Sequence, residues 1–242
     1  GRAHGLIYLV PPQQAQTQTL ELGKPVQREL AGGETQSYQL TLLAGQFLQI
    51  VVEQRGIDVV LKLSTPVGQK LVEMDSPTST QGPEAAALIA EQAGSYLIEV
   101  SSATPGAPTG QVVAQLIALR TATEQDRKWV AAQSAFLAGG ELQRQATAAS
   151  RQQAIERYQE ARLTWGAIGD QLMEAHALLR IGQTWRRLGQ PQRALGYYAQ
   201  ALELQRAGSA QREEAYTLFT LGLVHNDLGE PKKALEYFEQ AS

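Results

Sequence analysis

Three stretches of this chain are copies of one another, spaced 40 residues apart. Ala154, Ile155, Tyr158 and Ala161 recur as Ala194, Leu195, Tyr198 and Ala201, and again as Ala234, Leu235, Phe238 and Ala241. A second set stands before two of them: Ala175, Leu178, Ile181, Gly182, Leu188 and Gly189 recur as Ala215, Leu218, Leu221, Gly222, Leu228 and Gly229. The apolar members are three and four residues apart, which puts them on one face of a helix. A helical pair of this kind cannot bury its apolar face alone and must stack on copies of itself, so this half of the chain reads as a solenoid. Gly182 and Gly222 fall inside the helical pattern, where each costs about 1 kcal/mol against alanine. That cost implies a place where a side chain would hold two helices apart. Ala194 and Ala201 do the same on the second helix, while Leu195, Tyr198 and Leu202 supply the bulk. In Gly189-Gln190-Pro191 and Gly229-Glu230-Pro231 the glycine closes one helix and the proline opens the next.

The order Leu178-x2-Ile181-Gly182-x2-Trp185, then Ala194-x3-Tyr198, then Ala201, resembles the tetratricopeptide repeat (TPR) signature, over roughly residues 150–242. The period exceeds the family's usual length of about 34 residues. The family's late proline falls on Arg206, so the second helix of each pair is expected to run longer. Residues 169–208 read as one repeat and 209–242 as the next, truncated within its second helix and leaving Leu235 and Phe238 without a following unit to cover them. Weak self-association through that end is expected. Leu142 stands where residues 121–168 would need the matching glycine, so that segment reads as a degenerate first helical pair adapting the array to what precedes it.

The resemblance implies a groove lined by the first helix of each unit. Its positions fall on His176, Leu179, Gln183, Arg186 and Arg187, then on Tyr216, Phe219, Leu223, Asn226 and Asp227. Burial against a neighbouring element is the alternative for each. The family's clamp for a C-terminal carboxylate uses lysine and asparagine where Leu179 and Gln183 stand, so that clamp is not expected. With Leu179, Tyr216, Phe219 and Leu223 in the set, the groove should take a protein or peptide partner as an amphipathic helix or an extended apolar segment rather than as an acidic tail.

The first half has a different period. Tyr38, Leu40 and Leu42 alternate with polar residues, as do Leu48, Ile50 and Val52, then Val59, Leu61 and Leu63, Leu88 and Ala90, Tyr96, Ile98 and Val100, and Val112, Ala114 and Leu116. Turn signals separate them at Ala44-Gly45, Arg55-Gly56, Pro66-Val67-Gly68, Gln81-Gly82-Pro83, Ala93-Gly94 and Pro105-Gly106. Short alternating strands at this spacing predict an antiparallel β-sandwich over residues 20–120. Near Thr121 the pattern turns helical, with Trp129, Val130, Ala132, Phe136 and Leu137, and no flexible linker intervenes, so the first helix should pack on the sandwich. The fold class is therefore multidomain, all-β followed by all-α. Residues 1–19 form an N-terminal segment in which Gly5 to Val10 reads as a first strand or a non-native remnant.

Gln36-Ser37-Tyr38-Gln39-Leu40, Ala44-Gly45-Gln46, Gly56-Ile57-Asp58 and Ala93-Gly94-Ser95-Tyr96-Leu97-Ile98 resemble the bacterial pre-peptidase C-terminal (PPC) domain over roughly residues 20–119. A PPC-like sandwich ahead of TPR units is similar to the front of bacterial proteins that end in a CHAT domain, a caspase-like peptidase. This resemblance implies a bacterial protein, periplasmic or secreted ahead of cytoplasmic. It also leaves open a regulatory role for a peptidase whose catalytic residues would lie beyond Ser242.

Chemistry finds little footing. The chain of 242 residues has no cysteine, and 21 basic against 24 acidic residues leave no cationic surplus for a nucleic acid or an anionic membrane. Its longest early apolar run is too short to span a bilayer. Ser95 lies outside any nucleophile motif and reads as a turn entering a strand. His4, His176 and His225 have no metal-ligand spacing, and His225 occupies the repeat position of Trp185, which suggests packing. Asp58 and Asp75 could serve a calcium ion, or simply bond their own turns. Trp129 and Trp165 read as interhelical packing. No cofactor and no enzymatic activity are expected. The leading expectation is a non-catalytic scaffold, with a carbohydrate- or calcium-binding sandwich as a further alternative.

Overall fold

The structure, a computed structural model, describes residues 19–78 and 80–242. His4 and the apolar run from Gly5 to Val10 lie outside the described residues. Eight strands come first: β1 (Val26–Leu30), β2 (Thr35–Leu42), β3 (Gln46–Arg55), β4 (Val59–Ser64), β5 (Lys70–Met74), β6 (Gln81–Ile89), β7 (Gly94–Ser102) and β8 (Gly110–Thr121). They form two four-stranded antiparallel sheets, in the orders β1-β8-β3-β6 and β2-β7-β4-β5. Leu48, Ile50 and Val52 of β3, Leu61 and Leu63 of β4, Ile98 and Val100 of β7 and Ala114 and Leu116 of β8 are all buried. Period-two alternation delivers one face of each strand to this core.

Three strands are less legible in the sequence, each for a physical reason. Strand β1 buries only Leu30 fully, because it is an edge strand whose other residues are polar or half-buried. In β5 the register against β4 shifts between Leu63 and Ser64, so that Leu71 has no partner and exposed Leu71 sits beside buried Val72. A bulge of this kind breaks alternation. Strand β6 begins at Gln81, where the sequence suggests a turn; Gly82 and Pro83 pair with Gln54 and Glu53. From Gly82 to Leu88 every residue is buried, because helix packs on this strand where a one-sided sheet would meet water. Burial on both sides erases the two-residue period.

Six helices follow: α1 (Glu124–Arg144), α2 (Ala148–Ile168), α3 (Gln171–Arg187), α4 (Pro191–Ala207), α5 (Gln211–Asp227) and α6 (Pro231–Gln240). None of the helices is long and apolar enough to cross a membrane, among the described residues. Each of Pro191 and Pro231 sits in the first turn of its helix, and Gly189 and Gly229 close the preceding ones at φ of 72° and 73°. The interlock inferred from the glycines is steric. A Cβ on Gly182 would lie 2.7 Å from a ring carbon of buried Tyr198, and one on Gly222 would strike Phe238.

The first helical pair is not degenerate in this respect. A Cβ on Gly139 would lie 2.6 Å from the ring of Tyr158, so Gly139 does for α1 and α2 what Gly182 does for α3 and α4. Comparison at a fixed 40-residue offset misses it, because the link between glycine and tyrosine is three residues longer in the first pair. Trp129, Phe136, Tyr158 and Trp165 form an aromatic cluster with centroid separations of 5.3 to 5.8 Å. Packing is thus the role of both tryptophans.

Sandwich and array meet without a linker. Thr123 caps α1 through a capping box with Asp126, and Asp126 also takes a charge-assisted bond from Arg120 at the end of β8. Nine residues into α1, buried Gln133 reaches the exposed edge of β6: its Oε1 accepts from Ala87 N–H at 2.9 Å and its Nε2 donates to Ala87 C=O at 2.8 Å. The side-chain amide thereby stands in for a missing neighbour strand and closes that edge.

Candidate functional site

The first helices of the pairs, α1, α3 and α5, share the concave side of the array, and the sandwich lies against that side. Contacts run from α1 to β6 through Gln133, from α3 to the end of β5 through Arg180, which donates to Asp75 C=O at 2.6 Å, and from α5 to β6, where Glu213 lies against Gly82. Burial corrects two expected groove positions. His176 is 2% exposed and Leu179 is 0% exposed. Both occupy the stretch of α3 next to Arg180, where the concave face is closed rather than open to a ligand.

Beyond that closed stretch the face opens into a cleft of about 440 Å³ between α3 and α5. Seven expected residues line it: Gln183, Arg186, Arg187, Tyr216, Phe219, Leu223 and Asp227. Thr220 joins them; it is the 40-residue counterpart of Arg180, and the repeat spacing that selected the others would have found both. Asn226 is exposed but does not line the cleft. Across it, Gln183 Nε2 donates to the Tyr216 hydroxyl at 3.0 Å and Arg186 pairs with Asp227, tying α3 to α5. Arg187 is exposed, and its guanidinium has no hydrogen-bond or ion-pair partner among the described residues. Phe219 is 48% exposed although its ring meets Phe238 of α6 at 5.4 Å. The cleft thus offers an apolar floor, a fixed pair of charges and one uncommitted cation.

Buried titratable groups concentrate where sandwich and array meet. Glu84, fully buried, accepts from Gln54 Nε2 at 3.1 Å and from Ser76 N–H at 2.7 Å, and burial pushes its carboxyl up to about 8. Burial raises Asp58 and Asp75 too, against the opposing pull of Arg180. Burial drives His176 down to about 3, with Arg180 adding to the effect. Among the described residues no group of three histidine, aspartate or glutamate side chains is placed to hold a metal ion. His225 is buried, bonds Glu230 at 2.7 Å and stacks on Tyr237 at 5.1 Å, which is a packing role.

The signs of these shifts fix a pH dependence. Glu84 binds its proton more tightly folded than unfolded, so its contribution falls as pH rises from 4.5 to about 8. His176 is held neutral, so its contribution falls as pH drops from 6.5 to about 3. Between pH 6.5 and 8 only the first effect acts, and the protein is expected to lose about 2 kcal/mol there. Denaturant unfolding at a series of pH values checks this: Glu84→Gln should flatten the alkaline fall, and an unchanged slope would refute the assignment.

Residues 175–207 and 215–242 match the family model of the tetratricopeptide repeat. The helical half carries TPR units. No curated protein matches the chain. Among solved structures, the TPR domain of Arabidopsis FLU is similar over 48% of this chain and 93% of its own, at 16% identity and a TM-score of 0.43. The pre-peptidase C-terminal domain of a collagenase from Bacillus anthracis is similar over 42% of this chain and 94% of its own, at 17% identity and a TM-score of 0.35. PliG of Aeromonas hydrophila, a periplasmic lysozyme inhibitor of g-type lysozyme, is similar over 41% and 95%, at 15% identity and a TM-score of 0.33. The matched TPR segments contain α4, α6 and most of α3 and α5, and with them every residue of the open cleft.

Proposed function

We propose that the chain is a non-catalytic scaffold that recognises a protein segment in the cleft between α3 and α5. TPR units are protein-interaction modules, and the observation that carries the reading here is the exposed apolar floor of Tyr216, Phe219 and Leu223 within reach of an unpaired Arg187. A concave site with a few placed polar groups is the common form of a recognition surface. Gln183, Arg186 and Asp227 are held by bonds between the two helices, so the cleft is preformed and little ordering cost attends binding. The sandwich lies against the concave side near Arg180, and with His176 and Leu179 buried the distal part of that face is left for a ligand.

Replacing both Phe219 and Leu223 by alanine removes two of the three apolar residues of the floor and leaves the Gly182–Tyr198 interlock untouched, at the cost of the ring contact between Phe219 and Phe238. Partner binding should weaken by about 2 to 4 kcal/mol, since truncated hot-spot side chains cost about that much, while the melting profile stays close to that of the parent. Retained affinity in a folded double variant would place recognition elsewhere on the molecule.

A further inference from the structure

We infer that the free edge of β5 pairs with an extended segment of the protein partner, which joins the sheet as an added strand and brings an acidic side chain to Arg187. This inference rests on the concave cleft being the binding site, and it names the chemistry of what binds there.

The two sheets each end on the array side, one in β6 and the other in β5. Those edges are treated differently. Gln133 closes β6 by bonding Ala87 through both its amide groups, whereas β5 has β4 on one side and, among the described residues, no strand hydrogen-bonded to it on the other. An uncovered edge keeps half its backbone donors and acceptors free for another chain. Beside β5 lies a second cleft, of about 370 Å³, with Leu71 and Glu73 on one wall and Leu137, Arg144 and Arg180 on the other. Arg187 lines this cleft and the α3–α5 cleft alike, so its side chain is shared by both.

Most of the charged groups along this path already have a protein partner. Lys70 pairs with Glu73, Arg144 with Glu141, Arg186 with Asp227, and Arg180 is spent on the Asp75 carbonyl. Arg187 is left as the single uncommitted cation, shared by the two clefts. A ligand carboxylate is therefore best received at Arg187, where it displaces no existing bond. At about 3.3 Å per residue, five extended residues run the length of β5, and a longer segment would continue past Arg187 toward the floor of Tyr216, Phe219 and Leu223. The partner that fits is an extended segment with β-branched residues in alternation, then an aspartate or glutamate, then a large apolar residue. The β-branched residues suit a pleated edge, and the acid would form a charge-assisted pair with the guanidinium.

A library of random peptides of about twelve residues, panned against the full chain, supplies the probe. Selected peptides should carry an acid whose contribution is lost with Arg187→Ala, a weakening of about tenfold or more. Methylating the peptide backbone nitrogens one at a time should weaken binding about tenfold at alternate residues and leave the intervening ones unaffected, because only one edge of an added strand faces β5. Peptides that need Phe219 and Leu223 but ignore both Arg187→Ala and backbone methylation would overturn strand addition and leave the concave-face reading standing. Peptides indifferent to all these changes, or a library that yields no binder, would overturn both.

Discussion

A chain carrying Gly182→Val is expected to lose about 3 kcal/mol of stability, close to the upper end of the usual cost of overpacking a filled core. Valine is the better helix former, so helix propensity alone predicts a gain of a few tenths of a kcal/mol. The interlock decides the sign. Even a lone Cβ at this position would come within 2.7 Å of Tyr198, whose ring is fully buried and cannot swing into solvent, and valine adds two methyl groups beyond it. Gly196, in α4, is the control: it is exposed and nothing lies within 4 Å of a Cβ built there. Gly196→Ala should therefore stabilise by up to about 1 kcal/mol. Gly139→Ala, 2.6 Å from the Tyr158 ring, should destabilise as the matching change at Gly182 does, since the first pair uses the same packing. Denaturant unfolding of these variants checks the account. A stabilised Gly182→Val would mean that α3 and α4 are not held by this contact.

Gln133→Leu is expected to cost about 2 to 4 kcal/mol, although leucine has nearly the volume of glutamine and would suit a buried site. The loss comes from β6 rather than α1. Leucine leaves both the N–H and the C=O of Ala87 buried without a partner, and each such group costs about 1 to 3 kcal/mol. The same change should speed hydrogen exchange at the Ala87 amide, which in the parent donates to Gln133 Oε1. A variant with parent stability and an equally protected Ala87 amide would show that another group closes the β6 edge.

The sequence carried the array's architecture because its rules are local in sequence: Gly182 and Tyr198, Gly222 and Phe238, and the glycine-to-proline turns all recur at one spacing. It carried most of the sandwich through alternation. What it hid follows from long-range contact. The bulge at Leu71 and the double-sided burial of β6 remove alternation without any turn residue to mark them. His176 and Leu179 carry the repeat spacing of groove residues, yet they are buried, and the repeat spacing alone does not record which of its positions a neighbouring element closes. Arg180 and Thr220 were legible by spacing, whereas the role of Gln133 was not, since one glutamine in a helix rich in them gives no sign that it caps a strand forty-six residues away. Seven of the expected residues line one cleft because α3 and α5 are neighbouring first helices.

The most direct test of the concave face as the recognition surface is a hydrogen-exchange map of the full chain, with and without a peptide selected against it. Added protection is expected at residues 180–187 of α3 and 216–227 of α5 and along β5, with the outer helices α2 and α4 unchanged. Protection confined to α2, α4 or the far edges of the sandwich would contradict the account.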